Sequence, residues 1–187
     1  AEGLSLAGAP LLWGEPEYSL AERFGARPTL DVTGMFGGYT GVGTKTVLPA
    51  TAHAKISMRL VPDQDPAEIA ALFEAYVRQV LPPTVRCTVT VSGRSRPALL
   101  DRDVPPMRAA AAAYEATFGR PPVFMREGGA IPVVSDLESE LGLPTVLMGF
   151  GLPGDRIHSP NERFYLPNYF AGLETSIRYL AQLGIRN

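Results

Sequence analysis

The sequence predicts a protein of the α+β and α/β classes in two parts. Residues 1–95 are expected to form an antiparallel sheet with helices on one side, because two strand-like stretches alternate apolar and polar residues around a helical pattern. Residues 96–187 are expected to form an α/β layer, because helical and strand-like stretches follow one another there. A polar, irregular stretch at 94–103 separates the two patterns and marks the predicted domain boundary.

The first part begins with a short helix predicted over 17–24 and a strand predicted over 29–32. The strand leads into a glycine-rich loop at 37–46. Residues 51–61 follow, and apolar side chains occupy every second position there. This alternation predicts a half-buried strand.

A helix is predicted next. Asp65 is expected to cap it, Pro66 suits its first turn, and Glu68 is expected to complete a capping box. The last strand of this part is predicted at 84–91 and carries the single cysteine, Cys87, on its apolar side, where we expect a small core residue. The apolar stripe of the helix consists of Ile69, Leu72, Phe73, Tyr76, Val77 and Val80.

In the second part, a long loop is predicted at 151–165, and the strand before it is uniformly apolar, which predicts burial on both of its faces. The final helix is expected to turn one apolar stripe inward. That stripe consists of Phe170, Leu173, Ile177 and Leu180. The predicted helices are 106–118, 132–141 and 167–183, and the predicted strands are 123–126 and 145–150.

The composition excludes several classes of function. The net charge is −2 and basic residues do not cluster, so no nucleic-acid partner is expected. Apolar runs are short and broken by Pro or Gly, so no membrane partner is expected either. One cysteine excludes a disulfide framework and fits a reducing cytoplasm. With only His53 and His158 as imidazoles, a self-contained zinc site would need to be built almost wholly from carboxylates.

Two stretches that follow predicted strands are candidates for a binding site. Arg126 precedes Gly128-Gly129 at the start of a predicted helix, and its planar guanidinium beside a helix N-terminus suits a carboxylate or an oxyanion. A surface arginine beside a glycine turn is the alternative. His158 follows the next strand, with Asn161 and Glu162 as candidate partners that would orient a metal-bound imidazole. A solvated loop histidine is the alternative there.

The glycine-rich loop nearly matches a phosphate-binding loop. Thr44 separates Gly43 from Lys45, and no clear helical pattern follows, so nucleotide binding is not expected. On the polar side of the strand at 51–61, His53 is interpreted as solvated. Arg59, on the same side, is either solvated or reaches a ligand.

Four motifs in register carry a family resemblance: GGYTGVGTKTVLPA at 37–50, AKISMRLVP at 54–62, REGGAIP at 126–132 and HSPNE at 158–162. In this order and spacing the chain resembles the zinc metallopeptidase family of aminoacylase, carboxypeptidase G, carnosinase and succinyl-diaminopimelate desuccinylase. The dipeptidase-like branch is the nearest. The resemblance covers almost all of the chain.

The resemblance implies a zinc-binding catalytic domain with an inserted lid, or dimerisation, domain of ferredoxin-like fold. Residues 1–95 correspond to the lid without its first strand, and residues 96–187 correspond to the C-terminal segment of the catalytic domain. The family's N-terminal half supplies a histidine, a bridging aspartate, further carboxylate ligands and the glutamate general base. None of those motifs occurs in this sequence, so no catalytic residue is expected in this chain.

By resemblance, His158 is a ligand in a site that holds a pair of zinc ions and is incomplete here. Ala130 stands where the dipeptidases usually have serine, and Thr33 stands where relatives often have asparagine. Both departures leave the choice of substrate open. The lid residues that grip the substrate are expected to act together with the partner subunit. The implied substrate-binding positions are Arg126, Gly129, Ala130, Arg59 and Thr46.

The implied function is hydrolysis of an amide bond in a dipeptide or an N-acyl amino acid, by a cytoplasmic homodimer formed through the lid. The chain is expected to be inactive by itself. The alternatives are a non-catalytic dimerisation or binding module from a truncated gene, and one chain of a nicked enzyme. Loss of half of the catalytic sheet is expected to expose apolar strand faces such as Val146 and Leu147, so an oligomer is expected.

Overall fold

The computed structural model describes residues 10–127 and 133–184, and these form an α+β protein. The chain divides into two compact units. We call residues 17–97 with 126–127 the sheet unit, and residues 10–16, 98–125 and 133–184 the helical unit. The domain boundary between residues 95 and 96 stays a prediction. The elements are α1 (Leu20–Gly25), β1 (Thr29–Gly37), β2 (Ala52–Arg59), α2 (Pro66–Val80), α3 (Pro105–Phe118), α4 (Val133–Leu141), a 3₁₀ turn (Pro153–Asp155) and α5 (Leu166–Gly184).

Strands β1 and β2 pair in an antiparallel ladder that begins with Thr29 opposite Arg59. The register shifts at Thr33, and its hydroxyl donates a hydrogen bond of 3.3 Å to the Lys55 carbonyl. Strand β2 confirms the strand predicted at 51–61, and β1 extends beyond the predicted 29–32. The apolar side of β2 is less covered than predicted, because Ile56 is 39% exposed.

The helices of the sheet unit start at polar caps. Asp65 accepts hydrogen bonds from the amides of Ala67 at 2.8 Å and Glu68 at 3.2 Å, which confirms it as the cap of α2. The predicted capping box is wrong, since within the described residues Glu68 returns no bond to Asp65. A capping box is present at α1 instead, where Ser19 and Glu22 bond reciprocally.

Helix α2 packs through a narrower stripe than its sequence predicts. Ile69, Phe73 and Val77, spaced four residues apart, are half-buried. The other row of predicted apolar positions is exposed, so half of the predicted stripe lacks a covering partner in the described chain. That row consists of Leu72, Tyr76 and Val80.

The core of the helical unit lies between α3 and α5. Small side chains on both helices allow their close approach, and α5 buries Gly172 and Thr175 there. The predicted inward stripe of α5 is wrong, because its four apolar residues are between 47% and 68% exposed. Helical periodicity marks an apolar face but does not say which neighbour covers it. The buried residues of α3 are Met107, Ala110 and Ala113.

Three predicted strands do not form in the described chain: 84–91, 123–126 and 145–150 lie outside any ladder. A strand exists only by pairing, and alternation sets the faces of a segment without supplying its partner. Cys87 is exposed, so its predicted place in the core is wrong for the same reason. Leu147 is 54% exposed, so the predicted burial of 145–150 on both faces is also wrong.

The other predicted helices form close to their expected limits. Helix α3 ends as predicted at Gly119, which adopts the left-handed conformation at φ 69° that a helix C-terminus favours. Within the described ranges, no helix has both the length and the apolar character to cross a membrane.

Candidate active site

His158 lies in a tight loop of the helical unit, which we call the histidine loop and define as residues 152–163. The side chain of His158 is exposed, and its backbone is left-handed at φ 62°. Arg156 and Asn161 are also left-handed, at φ 58° and 61°. A non-glycine residue in this region costs roughly 1–2 kcal/mol. Three such residues within six positions persist only where the surrounding contacts hold them.

Asp155 supplies contacts at both ends of the histidine loop. Its carboxylate Oδ2 accepts a hydrogen bond of 2.7 Å from the Leu152 amide, and its own amide donates to the Leu152 carbonyl at 2.9 Å. Its carbonyl accepts from the Arg163 amide at 3.0 Å, beyond the histidine. Asp155 is 3% exposed, and it lines a groove of 570 Å³ between the loop and the start of α5.

The segment that enters the histidine loop is held between α3 and α5. The Tyr114 hydroxyl donates to the Gly149 carbonyl at 2.6 Å, and Asn168 donates through Nδ2 to the Phe150 carbonyl at 2.9 Å. The rings of Tyr114 and Phe150 stack with centroids 5.1 Å apart. Burial raises the pKa of Tyr114 above its ordinary value. The phenol therefore stays protonated and able to donate throughout the neutral range.

The chemistry of His158 fits one metal ligand. The His158 side chain is exposed, and an imidazole is a standard zinc donor. A zinc site needs three or four ligands. No cluster of three or more His, Cys, Asp or Glu side chains in residues 10–127 and 133–184 could hold a metal ion. The described residues can therefore contribute one metal ligand, but they cannot form a complete metal site.

Two predicted substrate-binding residues belong to the β1–β2 hairpin of the sheet unit. Arg59 is exposed at the end of β2, and Thr46 is exposed in the connection between the strands. The connection is ordered locally by Tyr39, whose hydroxyl donates to the Val42 carbonyl at 3.1 Å and whose ring lies 5.7 Å from Lys45 Nζ. The two side chains lie at opposite ends of the ladder, because Arg59 pairs with Thr29 whereas the connection that carries Thr46 follows Gly37, which pairs with Ala52.

Arg126 is exposed and belongs to the sheet unit. Its carbonyl passes so close to the end of α1 that a Cβ atom built on Gly25 would lie 2.3 Å from it. Glycine at position 25 is therefore required for this approach. Gly129 and Ala130 lie outside the described residues. Arg126 shares its unit with Arg59 and Thr46, whereas His158 belongs to the helical unit.

Sequence reasoning missed the residues that support the histidine loop: Asp155, Tyr114, Asn168 and Gly172. Pro153-Gly154 before Asp155 is a turn signature and is the one signal that points to this aspartate. The other three act through contacts with residues 18 to 35 positions away, and Gly172 does so because it lies directly against the Phe150 ring. No local pattern marks such contacts.

Comparison with known proteins identifies relatives along almost the whole chain. The model of peptidase family M20/M25/M40 matches residues 7–182. The Cys-Gly metallodipeptidase of Saccharomyces cerevisiae is 30% identical over 157 residues, which cover 82% of this chain and 32% of that protein. The corresponding protein of Schizosaccharomyces pombe is 31% identical over 180 residues, which cover 92% of this chain and 37% of that protein. The chain thus spans about a third of the length of these relatives.

The solved structure of a dipeptidase from Saccharomyces cerevisiae is similar in fold. It superposes with a TM-score of 0.84 at 26% sequence identity, covering 97% of this chain and 38% of the dipeptidase. The fold and the sequence thus match the same class of enzymes over nearly all of the chain, and they confirm the resemblance carried by the four motifs. The chain belongs to peptidase family M20/M25/M40, in its dipeptidase-like branch.

Proposed function

We propose that this chain is the C-terminal part of a zinc-dependent hydrolase that cleaves the amide bond of a dipeptide or an N-acyl amino acid. The observation that carries the proposal is the family match over residues 7–182. The relatives named above include metallodipeptidases that span about three times the matched length. The chain by itself is inactive, and the general base lies in polypeptide outside this sequence.

His158 is the zinc ligand that this chain contributes. The exposed imidazole on a loop held at both ends supports this role. When bound, a zinc pair supplies a Lewis acid for the amide carbonyl and lowers the pKa of a water molecule. The chain's own task is to hold the imidazole in place.

The exposed apolar side chains of α5 support a larger parent. Phe170, Ile177 and Leu180 form a stripe on this helix and are 63% to 68% exposed. We assign this stripe to contact with the rest of the catalytic domain. Exposed apolar patches of this kind otherwise favour association.

Arg126 and Arg59 hold the carboxylate of the substrate. Both are exposed and belong to the sheet unit, and a guanidinium matches a carboxylate in a two-point hydrogen bond. Thr46 adds a hydroxyl from the hairpin connection, at the end of the ladder opposite Arg59, so we assign the two residues to sites that the partner subunit completes. Gly129 contributes backbone and Ala130 a methyl group, so the wall at position 130 offers no side-chain hydrogen bond.

The sheet unit acts as the lid and as the dimerisation domain of a cytoplasmic homodimer. Its two-stranded ladder leaves strand edges unpaired within the described residues. Its helix α2 leaves the row of Leu72, Tyr76 and Val80 exposed. Both features supply surface that a second copy can cover.

The two histidines provide a matched test of this proposal. In the complete enzyme, His158→Ala should lower the bound zinc and reduce kcat for a dipeptide by at least 100-fold, following the typical cost of disturbing a metal site. His53→Ala removes an imidazole that is also exposed and that stacks on Phe36 with ring centroids 4.5 Å apart. That variant should keep its zinc content. Metal analysis and dipeptide turnover are measured on the same samples.

The isolated chain is measured beside these variants with a dipeptide and excess zinc. It should show no turnover above its own His158→Ala variant. Turnover well above that control would show that this chain contains a complete centre. Unchanged zinc content in the complete enzyme carrying His158→Ala would refute the assignment of the ligand.

A further inference from the structure

We infer that Asp155 is a positioning residue that sets the orientation of His158 through the backbone of the histidine loop. The inference rests on the proposed role of His158 as a metal ligand. Its backbone carbonyl closes the loop that carries the imidazole, and its carboxylate braces the turn from which that loop starts. Together these contacts would determine how well the imidazole meets a metal.

The conformation of the loop calls for such a restraint. Arg156, His158 and Asn161 all have left-handed backbones, between φ 58° and 62°. If the backbone of any one of these residues relaxed to the ordinary right-handed or extended region, the chain would change direction and the imidazole would move from its present position. Because these conformations are disfavoured, they need contacts that exist only in the folded loop.

Asp155 supplies three of those contacts from one residue. Its carboxylate and its amide both bond to Leu152, before the histidine, and its carbonyl bonds to Arg163, after it. The chain from 156 to 162 is therefore a closed loop whose two ends meet at Asp155. The remaining bonds within it join the Ser159 amide to the Arg156 carbonyl and the Glu162 amide to the Ser159 carbonyl.

The burial of Asp155 indicates that the carboxylate matters to the loop. At 3% exposure it is among the few buried polar residues in the described chain. A buried carboxylate is costly unless its oxygens are hydrogen-bonded. The 2.7 Å bond to the Leu152 amide satisfies that requirement and also holds the turn at Pro153–Asp155 closed.

Substitutions at Asp155 separate geometry from charge. Asp155→Asn keeps the length and an acceptor oxygen for the Leu152 amide but removes the charge. Asp155→Glu keeps the charge and displaces the carboxylate by one methylene. Asp155→Ala removes the carboxylate bond to the Leu152 amide and leaves the two backbone bonds of this residue in place. Asp101→Ala is the matched control, because the exposed Asp101 also accepts a turn amide, that of Asp103 at 2.8 Å.

The measurement is zinc affinity of the complete enzyme by chelator competition, with kcat, KM and the urea midpoint recorded on the same variants. Asp155→Ala should weaken zinc binding by about tenfold or more, the scale of disturbances around a metal ligand. Its KM should stay within about twofold, and excess zinc should restore most of its kcat. Asp155→Asn should bind zinc more tightly than Asp155→Glu, and Asp101→Ala should match wild type.

Each outcome decides the inference. Zinc affinity of Asp155→Ala equal to that of Asp101→Ala, with a lower urea midpoint, would show a merely structural role and overturn it. If Asp155→Ala does not fold, the order of the other two variants decides, and tighter binding by Asp155→Glu would overturn it. If His158→Ala leaves zinc binding unchanged, the proposed role of His158 as a zinc ligand is refuted, and the inference about Asp155 falls with it. If His158→Ala lowers zinc affinity but Asp155→Ala does not, only the positioning role of Asp155 is refuted.

Discussion

Gly172 on α5 offers a sharp test of how the entry to the histidine loop is packed. A Cβ atom at this position would lie 3.1 Å from Cδ2, 3.2 Å from Cγ and 3.4 Å from Cε2 of Phe150. The ring has little freedom to withdraw, since it stacks on Tyr114 and its carbonyl is held by Asn168. Gly172→Ala therefore forces a methyl group against a ring that is held in place.

Two opposing effects determine how much Gly172→Ala changes the free energy of unfolding. Alanine is preferred to glycine inside a helix by about 0.8–1.0 kcal/mol, which favours the variant. Overpacking a well-filled contact costs about 1–3 kcal/mol, which disfavours it. The difference predicts a net loss of about 1 kcal/mol in the free energy of unfolding, or a fall of about 2–4 °C in Tm for a chain of this size.

Gly184→Ala at the end of the same helix is the matched control, because in the described part of the chain a Cβ built there meets no atom within 4 Å beyond its chain neighbours and the backbone of its own helix. It should not lower Tm. The double variant Gly172→Ala with Phe150→Leu should recover part of the loss, since it shrinks the side chain that the methyl group meets, and a double-mutant cycle measures this coupling. Thermal unfolding followed by circular dichroism is sufficient. A Gly172→Ala variant at least as stable as Gly184→Ala would refute the reasoning.

Two further predictions concern the substrate and the aromatic support of the loop. Arg126→Ala should lower kcat/KM for a dipeptide by about 10- to 100-fold, the size of one lost charge-assisted hydrogen bond. Arg126→Ala should change kcat/KM little for the matching dipeptide amide, which has no carboxylate. An equal loss of kcat/KM for both substrates would contradict the contact between Arg126 and the carboxylate. Tyr114→Phe should lose about 1 kcal/mol of stability with its hydrogen bond to Gly149. Because burial raises the folded pKa of Tyr114 above 10.0, wild-type stability should fall as pH rises past that value. Tyr114→Phe should lack this part of the pH dependence, and a pH series of urea unfolding curves checks it.

The predictions from sequence that held are those governed by neighbours along the chain. The Asp65 cap, the helix end at Gly119 and the strand predicted at 51–61 each depend on residues within a few positions. The family followed from four motifs whose order and spacing are themselves properties of the sequence. His158, Arg126, Arg59 and Thr46 were singled out in the same way, and their roles stay proposals.

The predictions that failed depend on partners far away along the chain. The pattern at 84–91 does not form a strand, and Cys87 is exposed, because no described segment pairs with or covers them. The sequence shows that α5 carries an apolar stripe, but it does not show which neighbour covers that stripe. The structure shows that α5 uses Gly172 and Thr175 against the unit's core instead.

The sequence by itself determined the family, the ends of the helices and the candidate residues, because capping, turn geometry and motif spacing are local. Only the tertiary structure revealed that Asp155 is buried and closes the loop around His158, and that Tyr114 and Asn168 hold the segment before it. Those contacts join residues brought together by folding. Burial and hydrogen bonding are decided by what lies across the fold, which no local pattern of residues encodes.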